Sequence, residues 1–204
     1  MRKVRNRMFS AENVDRWQQK LLDARIPERY WTATLEAVVE IELRVNIVQW
    51  IETLPRWLGE GEGLYLHGPL ESGKSAVAAL LCMDAIQRCE RVLWVASREV
   101  PSIIFREQNA ERELYERLNA CDLLVVDDLG AESYRITGPA GHAYESLFRI
   151  IYDRQRSVIV TSNLSWTQFR DIYSPPAQPL VSVIERVTKP HAIVNDQWRL
   201  ARGS

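Results

Sequence analysis

The spacing of apolar residues along this chain changes near residue 64. Before that point, apolar side chains recur at intervals typical of one face of a helix. The pattern predicts one amphipathic helix after Ser10 and a second helix from about Leu35 to Leu54. Pro55 and the glycine-rich run at 59–63 are expected to end the second helix before the next element begins.

From residue 64 onward, short and continuously apolar runs alternate with longer stretches of helical period. The predicted strands are 63–67, 91–96, 123–128 and 158–162, and the predicted helices are 74–88, 98–119, 141–155 and 164–172. Continuously apolar strands between helices are typical of a parallel sheet that is buried on both faces. The sequence therefore predicts a helical lead-in over residues 1–57 and an α/β core over residues 58–204.

Composition narrows the class of protein without identifying it. The chain has 204 residues, of which 46% are hydrophobic and 26% charged, as expected for an ordinary globular protein. No apolar run approaches the roughly 18 residues of a membrane span, and no signal peptide is evident, so a cytoplasmic protein is expected. A net charge of −1 excludes a globally basic nucleic-acid binder. Any contact with DNA must therefore be local.

A phosphate-binding motif lies between the first predicted strand and the helix that follows it. Residues 68–75 read Gly-Pro-Leu-Glu-Ser-Gly-Lys-Ser, which matches G-x-x-x-x-G-K-[ST] in full. At such a turn, unpaired backbone N–H groups and the positive end of the helix dipole attract a polyanion. The alternative is a chance match in a turn, which the strand and helix on either side make less attractive. The sequence therefore predicts a site for a nucleoside triphosphate.

Each residue type in this loop suits a role in binding ATP and Mg²⁺. Lys74 is expected to reach the β- and γ-phosphates, and the Ser75 hydroxyl is expected to ligate Mg²⁺. The residues predicted to contact the nucleotide are Gly68, Pro69, Leu70, Glu71, Ser72, Gly73, Lys74, Ser75 and Ala76.

An apolar run at 123–126 ends in two adjacent carboxylates, Asp127 and Asp128. We expect Asp127 to help Ser75 hold Mg²⁺, and Asp128 to orient or deprotonate the attacking water. The alternative is that the two acids merely begin a surface turn. Asn163 follows the strand at 158–162 and is expected to position the same water, unless it only caps the next helix.

The order of these motifs resembles a known family. The phosphate loop, Val-Val-Asp-Asp-Leu-Gly at 125–130 and Val-Thr-Ser-Asn-Leu at 160–164 are similar to AAA+ ATPases, in particular to the DnaC helicase-loader and IstB transposition-helper group. The segment at 24–30, Ala-Arg-Ile-Pro-Glu-Arg-Tyr, resembles the one that precedes the ATPase core in that group. The closing segments around Arg186 and Arg199 also agree with it.

This resemblance implies a P-loop fold with five parallel strands in the order 5-1-4-3-2 and no C-terminal lid. It also implies a ring or filament of identical subunits, in which Arg186 is an arginine finger that reaches a neighbour's γ-phosphate. Asn163 would be the first sensor, and Arg199 would be the second sensor, beside the nucleotide. Arg186 and Arg199 could instead be solvated surface charges. The chain departs from the family at Glu71, where glycine is usual, and a carboxylate beside phosphates would weaken binding or slow turnover.

The resemblance also implies a DNA-binding channel lined by the helix after the second strand and by the loop after the acid pair. The residues that those segments offer are Arg98, Arg106, Tyr134 and Arg135. Arginines there would contact phosphates, and Tyr134 would stack on a base. Neighbouring glutamates make a solvated helix an equal alternative.

Three functions are compatible with these motifs. The first is an oligomeric DNA-associated ATPase that loads or remodels a replicative helicase or a transposase. The second is a nucleotide-gated assembly factor on DNA with little turnover, which Glu71 would suit. The third is a small-molecule kinase, against which stand the acid pair with Asn163 and the absence of an evident arginine-rich lid segment.

Overall fold

Strands and helices alternate along the chain from residue 63, as the apolar pattern predicts. The computed structural model describes residues 11–38, 40–100, 109–130, 147–152, 156–173 and 177–193. In these ranges the helices are α1 (Ala11–Asp23), α2 (Ile41–Glu60), α3 (Lys74–Gln87), α4 (Asn109–Ala120), α5 (147–152), α6 (Trp166–Tyr173) and α7 (Gln178–Val187). The strands are β1 (Gly63–His67), β2 (Val92–Ala96), β3 (Leu123–Leu129), β4 (Ser157–Ser162) and β5 (Thr188–Ala192). Single helical turns lie at Glu28–Tyr30, Leu35–Ala37 and Ser97–Glu99.

The five strands form one parallel sheet in the order β2-β3-β4-β1-β5. Read from the opposite edge, this is the order 5-1-4-3-2, so the predicted topology is confirmed. Because the carboxyl ends of parallel strands meet at one edge of a sheet, the ends of β1, β3 and β4 are neighbours. The phosphate loop, the acid pair and Asn163 follow these three strands.

Both faces of the sheet are covered, which explains the continuously apolar strands. Successive strand residues point to opposite faces, so Leu66 and Val125 join one apolar cluster while Tyr65 and Val126 join the other. The first cluster contains side chains from α2 and α3, and the second contains side chains from α4, α5, α6 and α7. Among the residues described here, no helix is long and apolar enough to cross a membrane.

The helical lead-in packs against the same side of the sheet as α3. Leu21 of α1 and Ile47 of α2 belong to the apolar cluster that also contains Val77 and Leu81. A domain boundary near residue 58 stays a prediction, and the packing shows that the two parts share one core.

The prediction that Pro55 ends the second helix is wrong. Helix α2 begins at Ile41 and continues through Pro55 to Glu60, where Gly61 closes it in the left-handed conformation with φ 70°. A proline has no N–H for the carbonyl four residues earlier, which here belongs to Ile51. The guanidinium of Arg88, just beyond α3, donates a hydrogen bond to that carbonyl at 3.3 Å. A partner from the neighbouring helix therefore satisfies the acceptor that the proline leaves open.

Both edge strands of the sheet carry features that hinder pairing with a further strand along their open side. At β2, the N–H of Trp94 donates to the carbonyl of Ala24 in the lead-in at 2.9 Å. At β5, Pro190 has no N–H to offer, and the exposed Lys189 pairs with Glu62 at 2.9 Å. Strand β5 carries no apolar run, because most of its residues face solvent.

Candidate nucleotide-binding site

The phosphate loop forms the strand–turn–helix unit that the motif predicts. Strand β1 ends at His67 and α3 begins at Lys74, with Gly73 as its N-cap residue at φ 94°. Glycine tolerates this left-handed angle, which ordinary side chains disfavour. No side chain caps the N-terminus of α3. The N–H groups of its first turn are therefore available to an anion in the loop.

Lys74 is almost completely buried, with 6% of its surface exposed. Its ammonium donates to the carbonyl oxygens of Gly68 at 3.0 Å and Pro69 at 2.6 Å, both in its own loop. Burial lowers the pKa of Lys74, and the charges of Asp128 and Asp127 oppose that shift. A buried cation whose direct partners are mainly neutral carbonyls suits a site for phosphate, because an anion would compensate the charge.

Asp127 and Ser75 lie side by side, as the predicted magnesium site requires. The Ser75 hydroxyl donates to Asp127 Oδ1 at 2.7 Å, and the Thr161 hydroxyl donates to the same oxygen at 2.6 Å. Asp127 is 6% exposed, and burial raises its pKa, although both hydroxyl donors favour the charged form. A buried carboxylate beside a hydroxyl is the oxygen-rich donor set that Mg²⁺ prefers. These residues therefore fit the ion.

Asp128 is held from both neighbouring strands in an unusual backbone conformation. Its φ is 61°, in the left-handed region that non-glycine residues seldom occupy. The N–H of Asp128 donates to Thr161 Oγ1 of β4 at 2.8 Å, and its carbonyl accepts from Ser97 Oγ after β2 at 2.9 Å. The register between β3 and β4 is irregular at this point, between Val126 and Leu129. The structure thus fixes the peptide that carries the second acid.

Asn163 contacts the acid pair directly. Its side-chain amide donates to Asp128 Oδ1 at 3.1 Å, and the side chain is exposed. The next helix, α6, is capped by other residues. The Ser165 N–H donates to Gln168 Oε1 at 2.8 Å, and the Gln168 N–H donates to Ser165 Oγ at 3.2 Å, which forms a capping box. Helix capping is therefore not the role of the Asn163 side chain.

The remaining predicted residues divide into two groups. Arg186 is exposed near the end of α7, with its guanidinium 5.0 Å from the centre of the Tyr152 ring, and Arg98 is exposed in the turn at Ser97–Glu99. No described hydrogen bond joins either arginine to the phosphate loop or the acid pair. Arg106, Tyr134, Arg135 and Arg199 lie outside the described residues, as do the segments that would show a C-terminal lid.

Sequence reasoning missed two residues that the structure brings to this site, Ser97 and Thr161, and it also missed Tyr152, which contacts Arg186. Thr161 links both acids, since its hydroxyl donates to Asp127 and accepts from Asp128. A polar residue that interrupts an apolar strand directly before Ser162 and Asn163 is a sequence feature that could have indicated it. Ser97 contacts Asp128 and Tyr152 contacts Arg186, and no local pattern reveals such partners far along the chain.

Comparisons with known proteins agree with this geometry. A sequence family described as IstB-like ATP binding protein matches residues 7–200. A Sinorhizobium fredii protein that carries the name insertion sequence ATP-binding protein is 31% identical over 134 residues. That alignment covers 62% of this chain and 42% of the relative, so the chain spans less than half of the relative's length.

Solved structures show the same fold at low sequence identity. The DnaC helicase loader has a TM-score of 0.67 at 20% identity, covering 82% of this chain and 99% of that one. DnaI has a TM-score of 0.63 at 23% identity, and the match covers 85% of this chain and 94% of DnaI. The replication initiator DnaA, bound to AMPPCP and single-stranded DNA, has a TM-score of 0.63 at 18% identity. That match covers 85% of this chain and 53% of the DnaA chain. The fold is that of the P-loop AAA+ ATPases, as the resemblance implied.

Proposed function

Because this chain belongs to the IstB-like ATP-binding family, we propose that it is a magnesium-dependent ATPase that assembles on DNA and remodels a transposase. The observation that carries the proposal is the cluster at the carboxyl ends of β1, β3 and β4. There Lys74 occupies the phosphate loop, and Ser75, Asp127, Asp128 and Asn163 are joined through Thr161 in one network of hydrogen bonds. The name of the S. fredii relative supports a transposase rather than a helicase as the partner.

In this proposal, the chain's own residues divide the work of hydrolysis. Lys74 and the first-turn N–H groups of α3 bind the phosphates, and Ser75 and Asp127 hold Mg²⁺. The ion, when bound, neutralises charge on the phosphoryl oxygens. Asp128 accepts a proton from the attacking water, and the Asn163 amide keeps that carboxylate oriented through its 3.1 Å hydrogen bond. Arg186 completes the site of a neighbouring subunit from outside.

Asp128→Asn tests the division of roles within the acid pair. We expect ATP and Mg²⁺ to bind with nearly unchanged affinity, because Ser75 and Asp127 are intact. Turnover should fall by roughly 10² to 10⁴, since the group that accepts the proton is lost. Fluorescent-nucleotide titration and steady-state phosphate release measure the two quantities. Asp127→Asn is the matched variant, and an exchange of the two phenotypes would show that the roles are reversed.

A second function, a nucleotide-gated assembly factor with slow turnover, is favoured by Glu71. This residue is exposed in the middle of the phosphate loop at φ 63°. That conformation costs a non-glycine residue about 1–2 kcal/mol, and the carboxylate repels phosphate. Both effects would weaken ATP binding or slow turnover at a loop whose other residues fit ATP.

Glu71→Gly and Glu71→Gln separate the two effects of this residue. Both variants remove the charge, so we expect both to bind ATP about five-fold tighter, as an exposed charge pair near 4 Å predicts. Glycine alone also relieves the left-handed backbone, and we expect only that variant to melt at a higher temperature without nucleotide. Calorimetric titration and thermal melts measure these changes. Wild-type affinity in the glutamine variant would show that the carboxylate does not act on the phosphates.

The proposed function is tested by measuring ATPase turnover and complex mass with and without single-stranded and double-stranded DNA. We expect DNA binding to require ATP or a non-hydrolysable analogue, because a chain of net charge −1 needs several subunits to align its local arginines. Replacing Arg98, Arg106 and Arg135 by alanine should reduce the slope of log affinity against log salt by about one for each arginine that pairs with a phosphate in the wild type. Tight binding by a nucleotide-free monomer would contradict the proposal.

The partner is tested in the same assay. A purified transposase from the same insertion sequence and a replicative helicase are each added to the ATP-bound complex on DNA. We expect the transposase to bind and to change turnover, and the helicase to do neither. The reverse result would replace the transposase by a helicase as the partner.

A further inference from the structure

A partly exposed pair of stacked aromatic rings lies beneath Arg186. The guanidinium of Arg186 in α7 is 5.0 Å from the centre of the Tyr152 ring in α5. Phe148, one helical turn earlier, stacks on Tyr152 with 5.3 Å between ring centres and 30° between ring planes. Tyr152 itself is 48% exposed, whereas Phe148 packs against the apolar cluster.

This contact holds the guanidinium over the Tyr152 ring without an acceptor oxygen. A cation over an aromatic ring is attracted through the π face, whereas the N–H donors of arginine lie in the guanidinium plane. The contact with Tyr152 is the one that the structure describes for the Arg186 side chain; no described hydrogen bond or ion pair involves it. Within the part of the chain that the structure describes, no acceptor oxygen takes up the donors that would bind a phosphoryl oxygen, and the ring limits the rotation of the side chain.

We propose that Tyr152 is a positioning residue that holds the Arg186 guanidinium ready to enter the ATP site of a neighbouring subunit. The inference rests on the proposed function, in which Arg186 acts in trans. Phe148 stacks on the same ring and supports it. A preorganised arginine loses less side-chain entropy when it enters the neighbour's site, and that difference appears in the rate.

The expected effect is modest and measurable. An exposed cation–π contact is worth about 0.5–1 kcal/mol, which corresponds to a two- to five-fold change in rate. Tyr152→Leu should lower kcat by this factor at saturating protein concentration. KM for ATP should stay unchanged, because each subunit binds ATP through its own phosphate loop. Tyr152→Phe, which keeps the π face, should retain wild-type kcat.

Three further variants make the test specific. Tyr115→Leu, at another exposed tyrosine on α4, controls for the loss of an exposed ring and should leave kcat unchanged. Tyr152→Gln removes the π face with a side chain suited to solvent, and serves if the leucine variant fails to fold or assemble. In an Arg186→Ala background, Tyr152→Leu should have no further effect, since the side chain that it positions is absent.

The outcomes separate this inference from the function on which it rests. One outcome is that Arg186→Ala lowers the activity of the assembled protein while Tyr152→Leu and Tyr152→Gln match the wild type. In that case the positioning role of Tyr152 is wrong, and the proposal that Arg186 acts in a neighbouring subunit is retained. If the leucine variant still lowers kcat in the Arg186→Ala background, Tyr152 acts through something other than Arg186. If Arg186→Ala itself has no effect on assembled protein, both the trans role of Arg186 and the positioning role of Tyr152 are overturned.

Discussion

Replacing Lys74 by alanine is expected to abolish ATP hydrolysis and to weaken ATP binding about 10- to 100-fold. The residue supplies the buried cation of the phosphate loop, and a hydrogen bond to a charged group contributes about 1.5–3 kcal/mol. The ammonium donates to the carbonyls of Gly68 and Pro69, so the loop itself holds the cation in place. Titration with a fluorescent ATP analogue and a phosphate-release assay measure the two losses.

The control for this variant is Lys20→Ala, which removes an exposed lysine of α1 and should leave both quantities unchanged. Circular dichroism and a thermal melt establish that each variant is folded. A folded Lys74→Ala protein with wild-type affinity for ATP would remove the assignment of residues 68–75 as the nucleotide site.

Arg186→Ala is expected to remove most of the activity that assembly produces. An arginine that enters a neighbour's site where charge develops can be worth roughly 10³ to 10⁵ in rate. The exposed position of Arg186 near the end of α7 is compatible with that role. Specific activity of the wild type should rise more than in proportion to protein concentration, and the variant should lack this rise while each subunit still binds ATP. Activity measured across a dilution series, with the mass of the complex at each point, tests this.

Mixing the two inactive proteins gives a sharper test. An Arg186→Ala subunit keeps an intact phosphate loop, and a Lys74→Ala subunit keeps an intact Arg186. A mixed assembly should therefore recover part of the activity at the interfaces where a good loop meets a good arginine. If the two proteins demonstrably assemble together and no activity returns, Arg186 does not act in trans.

The nucleotide site could be predicted largely because its residues are local in sequence. The glycines, Lys74 and Ser75 lie in one strand–turn–helix unit, and the strand before Asp127 is marked by its apolar run. Once the strand order is known, the ends of β1, β3 and β4 must be neighbours. The roles within the site stay predictions, and the structure contributes the contacts that make them testable.

What the sequence could not reveal depends on contacts between distant segments. Helix α2 continues through Pro55, and the guanidinium of Arg88 donates a hydrogen bond to the Ile51 carbonyl that the proline leaves unpaired. A rule that ends helices at proline takes no account of such a partner from another helix. The apolar pattern did not indicate strand β5, because an edge strand that faces solvent needs no apolar run. The support of Asp128 by Ser97 requires β2 and β3 to be paired before the hydroxyl and the carbonyl can meet.

The two edges of the sheet restrict how copies of this chain can meet. An unmodified edge strand offers a row of unpaired N–H and C=O groups that a second chain can extend into a continuous sheet, the route to fibrous aggregation. Here the Ala24 carbonyl accepts the hydrogen bond of the Trp94 N–H on one edge. On the other edge, Pro190 and the charged Lys189 interrupt the row of groups that a second strand could pair with. We therefore expect the proposed ring or filament to join its subunits through side chains of helices and loops and not through a continued sheet, which would let the interface form and dissociate with the nucleotide.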